Sequence, residues 1–96
     1  MPFHGFDRIM ACTRADLGRW LTELTGSDHG IAATGSAELP IEGGLLLIET
    51  EQMPPRRIAL MRAHQLRVVF VPPEGSDAAA REWITRFDHH TQRGGG

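Results

Sequence analysis

Met10-Ala-Cys-Thr-Arg-Ala-Asp16 holds the one cysteine of the chain, a single residue ahead of a threonine able to start a helix. A thiol at the positive end of a helix, with an arginine beside it, has its pKa lowered and its thiolate favoured. Cys12 and Arg14 are therefore the pair that a thiol-dependent enzyme would use. The wider pattern does not complete that chemistry. A phosphatase-type loop needs arginine six positions after the cysteine, where this chain has Gly18, with Arg19 one place too far. With no second cysteine there is neither a CxxC pair nor an internal disulfide. A buried structural cysteine has the same sequence signature, and no catalytic residue is assigned.

The second group is cationic. All ten basic residues are arginine, and lysine, tyrosine and asparagine are absent. Schiff-base lysines, phosphate-loop lysines and tyrosine acids are thereby excluded. Residues 1–53 carry eight acids and three arginines, a balance of −5, and residues 54–96 carry four acids and seven arginines, a balance of +3. Between Gln52 and Pro73 there are four arginines and no acid. Arg57, Arg62, His64 and Arg67 are the candidate binding residues of this stretch, with Arg56 beside them, and an anion or a nucleic acid is what they would hold. The overall charge of −2 and the scarcity of aromatic residues nearby argue against general nucleic-acid affinity. Unlike halves suit self-association instead.

Two further features carry less. Asp88-His-His90 puts adjacent histidines about 100° apart on a helix, so they do not chelate one metal together. His4, His29 and His64 have no spacing that predicts convergence, and no metal or cofactor is expected. The terminus Arg93-Gly-Gly-Gly96 has the form of a carrier tail. A carrier needs a strand leading into its free end, whereas the periodicity here puts a helix there; residues 93–96 read as a flexible tail that stops that helix.

The elements that would position these residues follow from periodicity. Phe6 to Cys12 reads as a first strand. Thr13 with Asp16 forms a capping box, Leu17, Trp20, Leu21 and Leu24 make one helical face, and Gly26 closes a helix over 14–25. Alternation from Ile31 to Leu39 predicts a strand with small inward side chains, and 40–44 a hairpin connection. Leu45 to Glu51 is the next strand, and Met53-Pro-Pro55 breaks the chain. The following stretch reads as two short strands, 57–62 and 66–71, with a bend or bulge between that releases Arg62 and His64 to solvent; the alternatives are a polar recess in the sheet lined by Arg62 and His64, and a short helix followed by one strand. Pro72 to Gly75 is a turn, Ser76 caps the last helix, and Ala80, Trp83, Ile84 and Phe87 form its apolar stripe over 77–90.

The order β-α-β-β-β(-β)-α predicts an α+β two-layer sandwich: an antiparallel sheet of four to five strands with two helices on one face. Ninety-six residues, 41% hydrophobic and 23% charged, form one domain over 1–92. The apolar runs are far shorter than a membrane span, and the N-terminal stretch lacks an apolar segment of signal-peptide length. A cytoplasmic, bacterial-type protein is expected. Its expected role is binding or assembly without catalysis, as a homodimer formed through a sheet edge or face.

Overall fold

A computed structural model describes residues 6–58 and 61–93. Seven elements follow one another: β1 (Asp7–Met10), α1 (Arg14–Thr25), α2 (Ile31–Thr34), β2 (Ser36–Ile41), β3 (Gly44–Ile58), β4 (Met61–Val71) and α3 (Asp77–Arg93). The strands form one antiparallel sheet in the order β1-β4-β3-β2. This is the expected α+β fold, with three helices where two were predicted.

Helix α1 begins as its sequence dictates. Thr13 accepts a hydrogen bond from the Asp16 backbone N–H at 3.1 Å, and the Asp16 carboxylate accepts one from the Thr13 N–H at 3.1 Å. Gly26 closes the helix in the left-handed conformation, at φ 81°. That backbone hydrogen bond from Thr13 is the main reason the Asp16 carboxyl is held below its ordinary pKa. A carboxyl with a depressed folded-state pKa adds stability above its unfolded pKa, and the gain is lost as pH falls through the folded value. Asp16→Ala is therefore expected to cost about 1 kcal/mol at neutral pH. The difference from wild type should shrink in acid, as read from urea denaturation at several pH values.

The buried side chains share one side of the sheet. Ala37 and Leu39 of β2, Leu46 and Ile48 of β3, and Leu66, Val68 and Phe70 of β4 are all buried, and their neighbours in sequence are not. Register places them in common rows: Ala37–Ile48–Phe70 and Leu39–Leu46. The helices cover this same side. Phe70 meets Trp83 of α3 at 6.2 Å and Phe87 at 5.6 Å between ring centroids, while Arg14 of α1 donates from Nε to Thr50 Oγ1 on the same side at 2.9 Å. Both tryptophans thus lie in one core with Leu17, Leu21, Ile31 and Phe87.

Three expectations are corrected. Residues 31–39 are not one strand: Ile31–Thr34 is a helical turn and only Ser36–Ile41 is strand. Gly30 and Gly35 bound the turn at φ 77° and 83°, a left-handed conformation that glycine adopts without the usual penalty and that an extended strand does not contain. Met53-Pro-Pro55 does not break the chain, because β3 continues to Ile58 through a β-bulge between Met53 and Arg56. Proline is tolerated there because β2 pairs only with Gly44–Glu49, so that edge of β3 needs no donor to a neighbour at 54–55. The predicted strand pair 57–62 and 66–71 is replaced accordingly: 57–58 end β3, and 61–71 form the single strand β4 with no bend.

The last helix starts where predicted and extends to Arg93. Arg93 thus belongs to α3, and Gly94–Gly96 lie outside the described residues, as does His4. No helix among the described residues is long and apolar enough to cross a membrane.

Candidate functional site

Strands β3 and β4 are longer than the strands that flank them. β1 pairs with β4 at Val69–Leu66, and β2 pairs with β3 at Gly44–Glu49. Past Met53 and Gln65 the two central strands pair only with each other, through Arg56↔Ala63, Arg57↔Arg62 and Ile58↔Met61. They form a two-stranded arm beyond the body, consistent with the long axis of the molecule, 46 Å against 32 and 25 Å. Pro54, Pro55, Arg56, Arg57 and His64 are exposed.

The arm holds three of the four predicted binding residues. Arg57 and Arg62 lie opposite each other in register, and His64 is two places along β4. His64 shares the parity of Leu66, Val68 and Phe70, yet it is solvent-exposed because the strand has outrun the core; the predicted bend is not needed. Arg67 is separate. It sits on the opposite side of the sheet, donating to both carboxylate oxygens of Asp7 at 2.8 and 3.3 Å, with Glu51 at 3.6 Å. Asp7 and Glu51 already engage that guanidinium, whereas Arg56 and Arg57 have no acidic partner among the described residues.

The side of the sheet away from the helices is the second feature. Its rows read Pro40–Leu45, Glu38–Leu47–Val71, Ser36–Glu49–Val69–Asp7 and Glu51–Arg67–Ile9. Ile9 is 55% exposed, Leu45 51% and Val71 41%. These are large apolar side chains exposed on a side of the sheet that no helix among the described residues covers, interleaved with Asp7, Glu38, Glu49 and Glu51. The sequence carries a trace of this face. Leu45–Ile48 and Val68–Val71 are apolar at both parities, as strands are when both sides have something to meet.

Cys12 is buried at 3% exposure, and its thiol is pushed up to about 11 from 9.0, first by burial and then by the nearby Asp16 carboxylate. The thiolate expected from its place before α1 is disfavoured, and the Arg14 guanidinium is engaged by Thr50 instead. A thiol raised in this way favours the folded state fully below the ordinary thiol pKa, and that contribution is lost as pH rises from 9.0 towards 11. With no lysine or tyrosine in the chain, no other side chain of ordinary pKa titrates in that window. Wild-type protein should therefore lose denaturation midpoint across it, and Cys12→Ala should not. Native protein at pH 8 should also react with iodoacetamide at least about a hundredfold more slowly than urea-unfolded protein, the ratio of thiolate fractions for a shift of this size.

The described histidines do not converge. His90 Nε2 lies 2.7 Å from Glu23 Oε1, linking α3 to α1, and His89 is exposed. No group of three metal-ligating side chains occurs among the described residues. A shallow cleft of about 290 Å³ lies between the β2–β3 turn and α3, lined by Pro40, Ile41, Glu42, Glu82, Trp83 and Arg86 among others. It brings together no nucleophile and base. Comparison with family models, with curated proteins and with solved structures finds no match to the chain.

Proposed function

We propose that this chain is a non-catalytic assembly module that self-associates through the uncovered face of its sheet. The observation that carries the reading is the exposure of Ile9, Leu45 and Val71 on one side of a sheet whose other side holds the buried core. Apolar surface gathered on one face is where association releases most water. Glu38, Glu49 and Glu51 around it set the orientation of whatever docks.

The test is the mass of the full chain in solution, by light scattering across a concentration range. Leu45→Glu with Val71→Glu should raise the dimer dissociation constant about a hundredfold, since each buries a charge against apolar surface. Fold stability should change by only about 0.5 kcal/mol for each, because both sites are exposed within the monomer. A wild-type protein that stays monomeric at every concentration would end this reading.

The projecting arm favours a second reading, anion or nucleic-acid binding, because a two-stranded ribbon with exposed Arg56 and Arg57 and no acid between Gln52 and Pro73 is a shape that enters a groove. Oligonucleotide binding that survives Arg57→Ala with Arg62→Ala would remove it.

A further inference from the structure

Resting on the self-association reading, we infer that the basic arm of each copy lies across the acidic, apolar sheet face of a second copy, two such contacts closing a twofold dimer. The charges are complementary. The face carries Asp7, Glu38, Glu49 and Glu51 against Arg67 alone, and Arg67 is taken up by Asp7 and Glu51. Glu38 and Glu49 have no basic partner among the described residues, and neither has Arg56 an acidic one; Arg56 shares the row of Ala63 and so the side of Arg67, whereas Arg57, in the row of Arg62, is on the other side of the arm. Each surface supplies what the other lacks.

Register makes the contact geometrically simple. Along β4, Ala63 marks the row of Arg56 and Val69 the row of Glu49, six residues and about 20 Å apart. A twofold axis midway, near the Gln52–Leu66 row, brings the Arg56 row of each copy over the Glu49 row of the other. Both contacts form at once, so the assembly closes as a dimer and leaves no open surface for a filament.

The area argues for including the arm. The face spans about three strands by nine rows, roughly 400 Å² in projection, which is about half of the ~800 Å² per partner in a standard stable interface. Laying the arm of each copy on its partner adds two strands by three paired rows, roughly 100 Å², about a quarter of the remainder. Edge-to-edge pairing is the weaker geometry. Pro54 and Pro55 remove donors from the β3 edge, and the free stretch of β4 would set Arg62 and His64 beside their own copies. A phosphate polymer is a poorer occupant, since the chain carries a net −2 and its acids line the surface next to the arm.

The experiment is a charge swap on the full chain, read by sedimentation equilibrium at low and high salt. Arg56→Glu, or Glu49→Arg, should each weaken the dimer at least roughly tenfold, whereas Arg57→Glu, on the other side of the arm, should change it by less than about twofold. The two reversals together should restore it to within about threefold of wild type, a recovery that a merely structural role would not produce. Arg56→Gln gives a smaller loss in the same direction, and serves if a reversed variant does not fold. If Arg56→Glu dimerises like wild type while Leu45→Glu with Val71→Glu is monomeric, the inference about the arm fails and the face reading stands. A monomeric wild type overturns both. Binding of a random-sequence single-stranded oligonucleotide that is lost in Arg56→Gln with Arg57→Gln, without change in dimer affinity, assigns the arm to nucleic acid and overturns this inference alone.

Discussion

Phe70→Ala is expected to destabilise the fold by about 4 kcal/mol, within the usual cost of truncating a buried phenylalanine to alanine. Phe70 is 1% exposed at the centre of the sheet, and its ring is the meeting point of the two layers. Phe87 stands edge-on to it, Trp83 lies tilted at 6.2 Å, and Trp83 and Phe87 stack on each other at 5.6 Å and 17°. Truncation removes ring contacts to both and leaves a void that β4 and α3, tied down elsewhere, cannot collapse to fill. A domain of this size has roughly 5–15 kcal/mol of total stability, so the variant should melt at least about 15 °C lower. Phe70→Leu, which keeps part of the volume, should lose about half as much. A loss under about 1.5 kcal/mol for Phe70→Ala in urea denaturation would mean that the aromatic cluster does not organise this core.

Asp88→Ala is the second large effect, expected to cost about 2–3 kcal/mol. Arg8 stands in the row of Val68 on the helix side of the sheet, with its guanidinium 5.6 Å from the Phe70 ring centroid and paired to the Asp88 carboxylate of α3. The two side chains are 16% and 32% exposed, so solvent relieves part of the 3–5 kcal/mol seen when a fully buried pair loses one member. Removing Asp88 leaves a largely desolvated cation over an aromatic cluster. Arg8→Met fills similar space without the charge and should fall within about 1 kcal/mol of wild type when combined with Asp88→Ala. The asymmetry between the single and double variants, read as a coupling energy from chemical denaturation, checks the assignment. Equal losses in all three would show that packing alone matters there. Since the partners are 80 residues apart in the chain, the pair also fixes edge strand β1 against the last helix.

How far each feature could be read in advance depended on the range of the interactions that set it. Helix α1 was legible from its first residue to its cap because the Thr13–Asp16 box, the Leu17–Trp20–Leu21 stripe and Gly26 are all local. The start of α3 was legible for the same reason. The stretch 31–39 misled because alternating Ala, Gly and Ser satisfies a period of two without requiring an extended backbone. Arg62 and His64 were assigned to a bend because they interrupt an apolar parity. Whether a strand has left its core depends on where the helices stop, and that is written in residues far from them.

For the candidate site the division is similar. The charge imbalance, the acid-free arginine stretch and the doubly apolar runs at 45–48 and 68–71 were visible in the chain. That Arg67 belongs to the sheet face and Arg57 to the arm was not, because a β-bulge at Met53–Arg56 and the pairing of β1 with β4 decide it.

By itself, then, the order of residues determined two capped amphipathic helices, an antiparallel α+β architecture and a segregation of charge. All of these rest on hydrophobic period, capping chemistry and composition, which act over a few residues. Tertiary structure alone decided that the prolines sit within a strand, that the central hairpin projects beyond its flanking strands, and that no helix among the described residues covers one side of the sheet. Each of these depends on which strands end first and which edges find a partner, and so on contacts between segments distant along the chain.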